Sequence, residues 1–169
     1  AEAVLGAEKL VKYSILGGEH ALANFAHEDA LAHFERAFAA LQGTSDSASL
    51  AALHWGAGRS LAAMRRVEES VKHLHAAFDG YMTMQDVGSA LKVAAYSFVS
   101  AEGGVGMAPI REKALQIAPP ESPLTGYVLT AHGKVLGFQM DDYPGAMAAI
   151  EKALEIARRS GDRKLEFRA

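Results

Sequence analysis

The chain has 169 residues, half of them hydrophobic, with a formal net charge of −3 and a sequence pI near 6.2. That size allows a sizeable core in one domain or one short array of repeats. No basic stripe offers a nucleic-acid footprint, no apolar run approaches the roughly 18 residues of a membrane span, and the absence of Cys excludes disulfides and thiol chemistry.

A cysteine-free chain suits a reducing, cytoplasmic compartment. Ala supplies 33 residues and Gly 16, and no stretch alternates with period two. Closely approaching helices are therefore expected in place of a sheet.

Helical patterns of small and apolar residues succeed one another along the chain. "SILGGEHALANF" (14–25) precedes "EDALAHFERAFAAL" (28–41), and "HWGAGRSLAAMR" (54–65) precedes "EESVKHLHAAFDGY" (68–81). "LKVAAYSFVSAE" (91–102) precedes "VGMAPIREKALQIA" (105–118), and "LTAHGKVLGFQM" (129–140) precedes "PGAMAAIEKALEIA" (144–157). The second members align without gaps. Their tenth position is Ala37, Ala77, Ala114 and Ala153, at intervals of 40, 37 and 39 residues, each followed by a large apolar residue.

A small residue recurs within the first members: Gly18, Gly58, Ala95 and Gly133. A close helix crossing needs one there. The unit reads as helix A, tight turn, helix B and a longer link, in about four repeats over 3–43, 46–83, 85–119 and 121–160. One pair leaves an apolar face open, and stacking buries it.

Local signals mark the later elements. Three Gly and a Pro in "AEGGVGMAP" (101–109) predict a linker or broken helix, with the third helix B short and starting near Pro109. Asp142 is placed to cap the fourth helix B, Pro144 fits its first position and Gly161 its stop. "GDRKLEFRA" opens a further helix at 162–169, so the chain reads as a fragment of a longer protein. Its Leu165–Phe167 segment is expected to expose an apolar face.

These features resemble a tetratricopeptide repeat array over nearly the whole chain. Gly58 matches the family's small residue in helix A. Ala30, Phe34 and Ala37, then Leu74 and Ala77, then Ala146, Ile150 and Ala153 match its helix B pattern, and Pro119 its terminal proline. Phe25 and Arg65 stand where the family has Gly, and the period exceeds the usual 34 or so. The longer period and the tail "ALEIARRSGDRKLEFRA" resemble the repeat arms of large bacterial LuxR-type transcription regulators and related signalling ATPases. No ATPase motif is present.

The resemblance implies an all-α, right-handed superhelix of about eight helices with a concave face lined by the A helices. Its positions fall on Lys12, Ile15, Glu19, Leu22 and Ala23; Ala52, Trp55, Arg59, Ala62 and Ala63; Ser89, Lys92, Tyr96, Val99 and Ser100; Tyr127, Thr130, Lys134, Gly137 and Phe138. From these, Trp55, Arg59, Lys92, Tyr96, Tyr127, Lys134 and Phe138 are the candidate partner-binding residues. Aromatics and Arg dominate interface hot spots, and cations such as Arg59, Lys92 and Lys134 against the single acid Glu19 suit an acidic peptide or protein.

No catalytic pattern emerges. The seven His lack ligand spacing, and "GRSLA" (58–62) lies within a helix, not at a strand-to-helix turn. No metal, cofactor or enzymatic activity is expected. The expected function is a non-catalytic interaction scaffold. The alternatives are a small-molecule sensor with a pocket near the worn third repeat, and self-association as a homodimer through the C-terminal helix.

Overall fold

A computed structural model describes residues 2–41, 46–98 and 101–169, with side chains for 6–41, 46–98 and 104–169. Among them there are ten α-helices and no strand. The chain forms two compact units, Ala1–Gln85 and Asp86–Ala169. The first holds α1 (Glu2–Ala23), α2 (His27–Ala40), α3 (Ser47–Ala63) and α4 (Val67–Thr83). The second holds α5 (Val87–Ala94), α6 (Ala101–Gly106), α7 (Ala108–Ile117), α8 (Pro123–Gln139), α9 (Tyr143–Ser160) and α10 (Arg163–Arg168). Adjacent helices pack as pairs, α1 on α2, α3 on α4 and α8 on α9.

One turn recurs. The amide of Ala26 donates to the Ala21 carbonyl at 2.9 Å, Arg66 to Leu61 at 2.9 Å and Asp162 to Ala157 at 3.0 Å. Each bond closes a helix end around a left-handed residue: Phe25 (φ 61°), Arg65 (φ 62°) and Gly161 (φ 68°). Gln85 and Asp141 adopt the same conformation. This explains why Phe25 and Arg65 fall where glycine is usual: only glycine reaches that region without a steric cost. The longer link expected after helix B is absent between α4 and α5, which are separated only by residues 84–86.

Helix starts are capped by short polar side chains, as their residue types dictate. Asp46 accepts from the Ser49 amide, Asp86 from Ser89, Asp142 from Gly145 and Asp162 from Leu165, all at 2.9–3.0 Å.

The core of the first unit centres on Phe34 of α2, which is fully buried. Its ring lies against Gly18 of α1 and Gly56 of α3, so closely that a Cβ on either glycine would collide with it. Leu74 of α4 meets Gly58 of α3 in the same way, and Ile150 of α9 meets Gly133 of α8. Phe34, Leu74 and Ile150 all occupy the seventh position of the aligned B stretches. Burying such a side chain contributes about 1.5–3 kcal/mol, and the small residue opposite lets two helix axes come close enough to do it.

The third stretch has Arg111 at that seventh position, and there the pair is rebuilt. Arg111 is 1% exposed. Its Nε donates to the Ala94 carbonyl at 3.2 Å, Nη1 to Gly104 at 3.0 Å and Nη2 to Tyr96 at 2.8 Å. A cation at the end of α5 is favoured by the helix dipole, and it holds the chain where α5 stops. The predicted A helix over 91–102 therefore ends at Ala94.

The Gly-rich stretch is a broken helix and not a linker: the six-residue α6 stops at Gly106 before α7 begins at Ala108, and Gly104 lets α6 approach Val135 and Gln139 of α8. The third helix B begins at Ala108 with Pro109 in its first turn, as the sequence predicts.

The tail also differs from expectation. Leu165 is fully buried against Ile156, Ala157 and Gly126, and only Phe167 remains exposed, at 92%.

Candidate functional site

In the first unit α1 packs against α3. This brings three of the expected groove residues together. Arg59 forms an ion pair with Glu19, its Nε donates to the Trp55 carbonyl at 3.4 Å, and its guanidinium lies 4.6 Å from the centre of the Trp55 ring. Trp55 and Arg59 are half-buried, so the stacked pair forms a wall that is open to solvent on one side. Cation–π stacking contributes about 0.5–1 kcal/mol at such a site. The charge of Arg59 is already answered by Glu19, which leaves less basicity here than the sequence suggests. Lys12 is exposed, and Ile15 and Leu22 pack on the core.

The second unit places its candidates differently. Lys92 on α5 and Lys134 on α8 are exposed, and α5 packs on α8. Phe138 is 84% exposed at the end of α8. Tyr96 lies past the end of α5, its ring 5.3 Å from that of Phe98 and edge-on to it. Its carbonyl belongs to the Arg111 site. Val99 and Ser100 lie outside the described residues.

Tyr127 donates its hydroxyl to Asp162 at 3.2 Å, and the Arg168 guanidinium lies 5.4 Å from the ring centre. Desolvation, and then the Asp162 carboxylate, raise the Tyr127 pKa. Tyr127 with Arg168 thus repeats, within the second unit, the aromatic–guanidinium pairing of Trp55 with Arg59.

Thr130 is buried and spends its hydroxyl on the Gly126 carbonyl at 2.9 Å. Gly137 packs on Ala146. Both serve packing, not the exposed face.

Two features escaped the sequence reading. His54 and His73 meet between α3 and α4, Nδ1 to Nδ1 at 3.1 Å, under the edge of Phe38. Burial pushes the His54 pKa down to about 4, with His73 adding to the effect, and burial lowers His73 as well. They are 19 residues apart, so no local spacing marks them. The signal was the repeat register, which places His54 at a packed helix A position. The other is Arg111, the one charged residue in the seventh column of the B alignment.

No three His, Asp or Glu side chains among the described residues converge as a metal site would require. Among those residues no helix is long and apolar enough to cross a membrane. The charged residues of α9, Glu151, Lys152, Glu155, Arg158 and Arg159, are exposed. Glu155 pairs with Lys152 at 3.0 Å, Arg159 with Glu121, and Arg158 with Glu166. Compared with known proteins, the chain matches no family model and no curated sequence.

Proposed function

We propose that the chain is a non-catalytic interaction module of tetratricopeptide type, whose A-helix faces hold a protein or peptide segment. The observation that carries this reading is the repeated joint. Gly18, Gly58 and Gly133 each admit a large apolar side chain from the same column of the partner helix, and each pair closes through a left-handed turn residue. Stacked units of that kind leave the A helices side by side, and the packing of α1 on α3 and of α5 on α8 accords with it.

The aromatic–guanidinium pairs and the exposed Lys92, Lys134 and Phe138 supply contact chemistry suited to an acidic segment. The wider setting we infer is the repeat arm of a bacterial transcription or signalling regulator, on the resemblance of the period and the tail.

A photoreactive amino acid placed at Phe138, where the side chain supports no core, tests the reading. It should form a covalent adduct with a protein partner, and the same group at the outward-facing Lys72 should not. Adducts at Lys72 alone would overturn the assignment of the A-helix face.

A further inference from the structure

Two imidazoles face each other between α3 and α4, where the joint between two such helices does not require them. Counting from the left-handed residues Phe25, Arg65 and Asp141, the place of His54 is taken by Ser14 in α1 and by Thr130 in α8. The place of His73 is taken by His33 in α2 and by Ala149 in α9. Ser14, Thr130 and Ala149 are buried, so small side chains close these crossings well enough. Of the three pairs, only the second has His at both places.

The backbone beneath the two rings is pinned. Gly58, one turn beyond His54, receives Leu74, the residue after His73. The carbonyl of Gly58 also accepts from the buried Ser70 hydroxyl at 2.7 Å. Both imidazoles therefore stand on helices whose spacing is fixed. Their Nδ1 atoms lie 3.1 Å apart. Phe38 of α2 packs edge-on to both rings, and both are half-buried, which leaves one side open to solvent. Two neighbouring nitrogen ligands on one metal ion, with bonds of about 2.0–2.1 Å and bond angles of about 90–109°, lie about 2.8–3.4 Å from each other. The observed separation falls inside that range.

We propose that His54 and His73 form a two-imidazole seat for a divalent late transition-metal ion, with water completing the coordination shell. Imidazole nitrogen suits zinc, copper and nickel, whereas magnesium and calcium take oxygen ligands. The ion replaces the hydrogen that the two Nδ1 atoms share. The donating ring passes that proton through water to its own Nε2, and both rings then ligate as neutral imidazoles. Glu35 of α2 and Glu69, one turn before His73, place negative charge near that ring, although Glu69 is shared with Arg66. No third protein ligand converges among the described residues, so the ion is exchangeable. When bound, it clamps α3 to α4. The seat is separate from the face that carries Trp55 and Arg59, and it stands whether or not the interaction reading holds.

The test titrates Zn²⁺ into the metal-free intact chain near neutral pH, followed by calorimetry and by imidazole nitrogen NMR. One ion per chain is expected, with the Nδ1 signals of His54 and His73 shifted and those of His20 and His132 unmoved. Mg²⁺ should move none of them. His54→Ser, which copies Ser14, and His73→Ala, which copies Ala149, should each lower Zn²⁺ affinity at least about tenfold, while His20→Ala leaves it unchanged. Circular dichroism verifies the fold of each variant, and the NMR result on the parent chain needs no variant. Nδ1 signals that do not respond to Zn²⁺ would overturn the proposal and leave the shared hydrogen as the whole content of the pair. Binding that survives in both His variants would also overturn it, by placing the ion elsewhere.

Discussion

Replacing Arg111 with Met removes the one polar group that organises the middle of the second unit. The three hydrogen bonds at 2.8–3.2 Å have a charged donor, each worth about 1.5–3 kcal/mol. Losing all three leaves the carbonyls of Ala94, Tyr96 and Gly104 without that donor. The gain is relief from burying a cation. Burial draws its pKa down to about 10 from the usual guanidinium range, which corresponds to about 3 kcal/mol. The balance is a net loss of about 2–5 kcal/mol, in the range found when one side of a buried charged network is removed.

Arg111→Lys keeps the charge but cannot span three carbonyls, so it should also destabilise. Urea unfolding followed by circular dichroism at 222 nm measures the loss, and amide exchange should accelerate in α5 and α6. A Met variant within about 1 kcal/mol of the parent, with exchange unchanged, would refute the view that this guanidinium holds the third repeat together.

Three further outcomes follow from the joints and the histidine pair. Gly56→Ala gains about 1 kcal/mol of helix propensity, but its methyl collides with the Phe34 ring, so a net loss of about 1–2 kcal/mol is expected; thermal denaturation of the variant and of Gly56→Ala with Phe34→Leu should show partial rescue. Phe25→Gly relieves a left-handed, 82% exposed residue and should raise the urea midpoint by the equivalent of about 0.5–1 kcal/mol. His54 and His73 resist protonation in the fold while unfolded imidazoles titrate near 6.5. Stability should therefore be full above about pH 7 and fall by about 1–2 kcal/mol towards pH 4, a modest figure because both rings are only half-buried. His54→Ser, which copies Ser14 at the corresponding place in α1, should flatten that dependence when unfolding is compared at pH 7 and pH 4.5.

The helix pairs were legible because their signals are local. Ala37, Ala77 and Ala153 repeat at a fixed place, Asp142 and Gly161 punctuate α9, and the left-handed turns fall at Phe25 and Arg65. What was hidden depends on contacts across the sequence. Glycine propensity argued against a helix at 101–106, and packing of Gly104 on α8 overrode it. Arg111 stood in an apolar column, yet only its three carbonyl partners explain why α5 stops early. Leu165 was expected on a bare face because the partner surface at Gly126 lies 39 residues upstream. The groove residues were placed on the A helices, but the pairing of Arg59 with Glu19 changes the chemistry of that face.

The most direct test of the interaction reading is a quantitative pull-down with three proteins: the parent chain, Lys92→Glu with Lys134→Glu, and the outer-face control Lys72→Glu with Lys152→Glu. All four lysines are exposed, so folding should survive, and circular dichroism verifies it. A protein partner should be held by the parent and the control and lost by the Lys92/Lys134 variant. A partner retained by that variant and lost by the control, or no protein partner for any of the three, would contradict it.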